Sequence, residues 1–98
     1  MVKAWLVRLE LARDDGGPLS DEGIAELTDL LTKDGVKPEL NRQGPGTIAV
    51  RMTVDATDDM AARSAAERSL RDRAHQVWSA LGLPPFTIAF VETKPEGE

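Results

Sequence analysis

Residues 36–54 run Val36-Lys37-Pro38-Glu39-Leu40-Asn41-Arg42-Gln43-Gly44-Pro45-Gly46-Thr47-Ile48-Ala49-Val50-Arg51-Met52-Thr53-Val54, and their reading decides the fold. From Thr47 the side chains alternate, with Ile48, Val50, Met52 and Val54 on one side and Thr47, Ala49, Arg51 and Thr53 on the other. Period two is the mark of a strand with one buried face. Gln43 to Gly46 is turn chemistry, so 36–43 and 47–54 are expected to form a hairpin. Pro38 has no amide proton to give to a ladder, so 36–43 is expected at a sheet edge.

Upstream, residues 2–11 are rich in strand formers, and Trp5, Val7, Leu9 and Leu11 share one side. Between this strand and the hairpin, Ser20 suits an N-cap and Leu19 with Ile24 a hydrophobic staple. Asp21 and Glu22 favour the positive end of a helix dipole. A helix over 21–33 follows, with Ile24, Leu27, Leu30 and Leu31 inward and Gly35 as its left-handed stop. Downstream, Thr57 is read as the N-cap of a helix over 58–81 that ends at Gly82 and Pro84. Its inner stripe is Ala62, Ala66, Leu70, Ala74, Val77 and Leu81, and Glu67 is spaced to pair with Arg71. Phe86, Ile88 and Phe90 alternate in a last strand over 86–93.

The order βαββαβ implies an α+β, ferredoxin-like domain, with a four-stranded antiparallel sheet in the order 4-1-3-2 and two helices on one face. That order puts the Pro38 strand at an edge, as its chemistry requires. The expected core is Trp5, Val7, Leu27, Leu31, Ile48, Val50, Leu70, Val77, Ile88 and Phe90. One domain over 1–93, with 94–98 as a flexible tail, suits 98 residues of which 41% are apolar.

The chain has no cysteine, which removes disulfides, thiolate nucleophiles and sulfur-ligated metals and suits a reducing compartment. No apolar run approaches a membrane span, so the expected location is cytoplasmic, with no membrane partner. A net charge of −5, from 17 acidic and 12 basic residues, argues against nucleic acid, whose backbone is held by Lys and Arg. An RNA-recognition sheet would also need stacking aromatics where this one offers Ala4, Leu6, Arg8, Ala49 and Arg51. Arg outnumbers Lys 8 to 4, a bias of GC-rich genomes.

The chemistry-bearing residues are few. The single histidine, His75, falls on the outer side of the second helix as a solvated residue, with no serine motif to complete a triad. Asp14, Asp15, Asp21 and Glu22 crowd one loop, but their spacing matches no calcium loop, and turn and helix-dipole roles account for them. Gly16-Gly17 lacks the lysine of a phosphate cradle. No catalytic residue, metal ligand or cofactor is therefore assigned.

With the apolar sides of the strands turned to the helices, the second face carries Ala4, Leu6, Arg8 and Glu10, then Thr47, Ala49, Arg51 and Thr53, then Thr87, Ala89, Val91 and Thr93. Its centre is small and semi-apolar, which permits close approach by another sheet or helix. The contact surface is read as Leu6, Ala49, Ala89 and Val91 together, with Arg8 and Arg51 at the polar margin. As a plain solvated sheet, the same face would pair Arg8 and Arg51 with Glu10 and Glu39.

From Leu9 through Asp14-Asp15-Gly16-Gly17-Pro18 to Gly35-Val36, the chain resembles the opening of an ACT domain, with a strand, a Gly-containing loop, a helix and a Gly-Val start to strand two. The loop is longer and more acidic than the usual Asp-Arg-Pro-Gly start. Trp5-Leu6-Val7 and Gly17-Pro18-Leu19-Ser20-Asp21 are also similar to small uncharacterised proteins of high-GC bacteria. The leading functional expectation is a non-catalytic interaction module, a homodimer or a partner-binding protein, using the open sheet face. One alternative, which the ACT resemblance implies, is a regulatory domain holding a small molecule at Arg13, Asp14, Asp15, Gly16, Gly17 and Ser20. Another is a small carboxylate-dependent enzyme built on Asp14 or Asp15.

Overall fold

The computed structural model describes residues 2–83 and 85–96. Its elements are β1 (Lys3–Arg13), α1 (Asp21–Lys33), β2 (Glu39–Gly44), β3 (Thr47–Ala56), α2 (Asp59–Leu81) and β4 (Phe86–Pro95). All strand pairs are antiparallel and the sheet order is β2-β3-β1-β4, the expected order read from its other edge. The result is an α+β fold with an open four-stranded sheet, consistent with the ferredoxin-like arrangement. Among the described residues no helix is long and apolar enough to cross a membrane.

Local chemistry sets the element ends. Ser20 caps α1 by accepting from the Gly23 amide at 3.1 Å, and its acids lie in the first turn. Thr57 does not cap α2; Asp58 does, accepting from the Ala61 amide at 2.8 Å. Asp ranks above Thr at this position. Gly35 and Gly82 adopt φ of 84° and 65°, the left-handed stops expected; Pro84 lies outside the described residues. β2 starts at Glu39, later than expected, so Pro38 stands just before the edge strand and no ladder bond is asked of it.

Trp5, Val7, Leu9, Leu11, Ile48, Val50, Met52 and Val54 are buried in one cluster with Leu27, Leu31, Ala62, Ala66, Leu70, Ala74 and Val77. Both helices thus cover the same face of the sheet. Ile88 and Phe90, expected in the core, are only half-buried, because β4 is an edge strand with no neighbour beyond it. Leu81 is exposed and Trp78 takes its place inside. At the end of α2 the inward face thus runs through positions 74, 77 and 78.

β4 also departs from simple alternation. Phe90 stands opposite Leu9, but Glu92 stands opposite Arg8, so Val91 is an extra residue in a β-bulge. The bulge shifts the phase, and Thr93, expected on the open face, pairs beside Val7 on the helix face instead. The strand continues to Pro95, and the Glu96 amide donates to the Ala4 carbonyl. Lys94 and Pro95 therefore belong to the sheet rather than to a tail; Gly97 and Glu98 lie outside the described residues.

Candidate functional site

The register builds the open face in rows. Asn41, Ala49, Glu10 and Ala89 make one row across all four strands. Glu39, Arg51, Arg8 and Glu92 make the next, and Thr53, Leu6 and Lys94 a third. Arg8 and Arg51 therefore lie in the middle of the face rather than at its margin. They separate Leu6 from Ala49 and Ala89, because both arginines sit at the centre of the two central strands.

Arg8 donates to Glu92 at 3.1 Å, not to Glu10, while Arg51 lies 4.0 Å from Glu39 as expected. Arg51 Nε is buried with no hydrogen-bond partner among the described residues. The bulge projects Val91, 45% exposed, onto this face. Arg8, Glu10, Asn41, Gln43, Ala49, Arg51 and Val91 border one groove. Of the six residues expected to form a contact surface, four border this groove: Arg8, Ala49, Arg51 and Val91. Leu6 and Ala89 do not line it.

The loop between β1 and α1 is tied to itself. Arg13 donates to both oxygens of Asp15, at 3.0 and 2.8 Å, and to the Pro18 carbonyl. The Gly17 amide donates to Asp15 at 3.0 Å. The Arg13 hydrogen bonds, aided by that amide, hold the Asp15 carboxyl below its ordinary value. Asp14 accepts from the Thr87 hydroxyl at 2.5 Å, and Ser20 is engaged as the α1 cap. The loop leans on the hairpin turn, where the Arg13 amide donates to Gly46 and the Leu19 amide to Pro45. A Cβ on Gly46 would come within 2.6 Å of the Gly17 carbonyl oxygen, so the approach needs glycine there. Among the described residues, no group of three or more His, Asp or Glu side chains is placed to hold a metal ion.

The structure also opens a cleft that sequence reasoning passed over. Between the C-terminal half of α2 and the β4 edge, Arg71, His75, Trp78, Ser79, Leu83, Pro85, Phe86, Thr87 and Ile88 line an open cleft of about 500 Å³. His75 is not merely solvated: its ring meets Phe86 edge-on at 4.9 Å, and Trp78 meets Phe86 at 5.3 Å. The spacing of Arg71, His75 and Trp78 at i, i+4 and i+7 was the available signal, since it sets all three on one side of a helix.

No protein-family model matches the sequence, and no curated protein matches it. Among solved structures the chain is similar to part of a hydantoinase/carbamoylase family amidase from Burkholderia ambifaria. The likeness has a TM-score of 0.49 and 15% identity, and it covers 96% of this chain and 29% of that one.

Proposed function

We propose that this chain is a non-catalytic, ferredoxin-like interaction module that takes a partner protein on its open sheet face. The observation that carries the reading is the charge row Glu39, Arg51, Arg8, Glu92, acidic at both ends and basic at its centre. Two arginines directly opposite on neighbouring strands repel, and a sheet gains no stability from placing them so. Small neighbours leave room for approach: Ala49 lies beside the row and Val91 is raised by the bulge.

A second copy stacked about a twofold axis through the centre of this row would set arginine over arginine. A partner presenting an acidic pair between basic flanks is complementary. The occupant proposed is therefore a different protein with an acidic segment, rather than a second copy stacked on that axis.

A peptide with a pair of glutamates between lysine flanks, titrated into the labelled protein and followed by amide NMR, tests the reading. The expected shifts group on Arg8, Ala49, Arg51 and Val91 and are lost in Ala49→Arg or Val91→Glu. Sedimentation over rising concentration supplies the second half. A dimer broken by those substitutions would assign the face to self-association, and a monomer with scattered or absent peptide shifts would end the proposal.

A further inference from the structure

We propose that the cleft between α2 and β4 is a binding site for a small carboxylate with an apolar body. At about 500 Å³ it falls within the roughly 300–1,000 Å³ of small-molecule sites, which pair an apolar lining with a few polar groups. The lining has that division. Trp78, Leu83, Pro85, Phe86 and Ile88 supply the apolar part, while Arg71, His75, Ser79 and Thr87 supply the polar one.

The charge of the cleft selects the ligand. The chain has 17 acidic residues and a net charge of −5, yet among the described residues no aspartate or glutamate lines this cleft. Six of the eight arginines hold a carboxylate within 4.0 Å; among the described residues Arg71 and Arg68 have none that close. The expected partner of Arg71 is Glu67, but Glu67 turns to Arg63, at 3.8 Å. Glu67 and Asp72 border the groove on the other side of Arg71, and a guanidinium at the edge of an apolar cleft, with no described carboxylate within 4.0 Å, is the group that captures a carboxylate. One such cation fits a singly charged head better than a phosphate, which gathers several donors.

The aromatic walls favour a flat or branched body. Phe86 stands edge-on to both His75 and Trp78, at interplanar angles of 61° and 64°, an arrangement that leaves ring faces for further contact. Trp78 lines the cleft with its ring, while its ring nitrogen is closed off from solvent. Its indole Nε1 is buried without a hydrogen-bond partner among the described residues, whereas that of Trp5 donates to the Ala56 carbonyl at 3.0 Å. Buried donors are ordinarily paired.

The chain has 2 tryptophans, so an NMR spectrum holds two indole N–H signals, and Trp5→Phe tells them apart. The probes are 4-phenylbutyrate and indole-3-acetate, with 4-phenylbutanol as the neutral control. The proposal expects at least one acid to shift the Trp78 indole and the Thr87 and Ile88 amides saturably, leaving the Trp5 indole unmoved. Arg71→Gln, at an exposed position, should weaken binding by about tenfold, the worth of one charge-assisted hydrogen bond. The neutral alcohol should bind correspondingly worse. The proposal is overturned if neither acid moves the Trp78 signal, or if the alcohol and the Arg71→Gln protein respond as strongly as the acid and the wild type.

Discussion

Arg8 and Arg51 face each other directly across β1 and β3, and each finds its carboxylate on the outer strand, Glu92 for Arg8 and Glu39 for Arg51. The two like charges at the centre are a cost, and the exposed pairs at the ends are worth little. Arg8→Thr is therefore expected to change unfolding free energy by less than about 0.5 kcal/mol, while abolishing the response to the glutamate-pair peptide. Chemical denaturation beside the peptide titration checks both. A loss of several kcal/mol would instead assign the arginine row to stability.

Leu70 is completely buried on α2, and Leu27 and Leu31 belong to the same core. Leu70→Ala should cost about 2–5 kcal/mol, because removed methyl groups lose their transfer energy and leave a cavity. A urea titration giving a change within about 0.5 kcal/mol, the level of an ordinary surface substitution, would show that α2 turns another side inward.

Thr93 is carried to the helix face by the Val91 bulge, and its Oγ1 is buried with no hydrogen-bond partner among the described residues. Thr93→Val replaces that hydroxyl by a methyl of similar shape. Removing an unpaired buried polar group should stabilise the protein by about 1 kcal/mol, read as a rise in melting temperature. A fall would mean that the hydroxyl has a partner, such as a bound water.

Asp34 ties α1 to α2: it accepts from Arg73 Nε at 2.9 Å and from the Ser69 hydroxyl at 2.8 Å. The Arg73 hydrogen bonds, against the opposing effect of burial, hold its carboxyl below the ordinary value of 3.8. A carboxyl lowered in the folded state stabilises it above the unfolded value, and that contribution is lost as pH falls through the folded one. Asp34→Asn should thus be less stable than wild type at neutral pH, with the gap shrinking below about pH 4. Urea melts across the acid range measure it; a gap independent of pH would mean that the charge of Asp34 is immaterial.

Much of the fold was legible in the chain. The alternation of residues 47–54, the turn after Gln43, Ser20 before the acids of α1, and glycines 35 and 82 are local signals, and each was read within a few residues. Pro38 pointed to an edge strand, and β2 is one, although the strand starts at Glu39 and asks no ladder bond of the proline. The bulge was not legible, since Thr87, Ala89, Val91 and Thr93 alternate without a break in sequence, and only pairing with β1 inserts Val91 and turns Thr93 inward. The site residues divide the same way. Sequence alternation alone put Arg8, Ala49, Arg51 and Val91 on one face. Only the register between strands 43 residues apart in sequence, Arg8 beside Arg51, drew the arginines into the centre, and only α2 packing against β4 brought Arg71, His75 and Trp78 to Phe86. Periodicity is a short-range property of the backbone, whereas register and the cleft come from contacts made when distant segments close on one another.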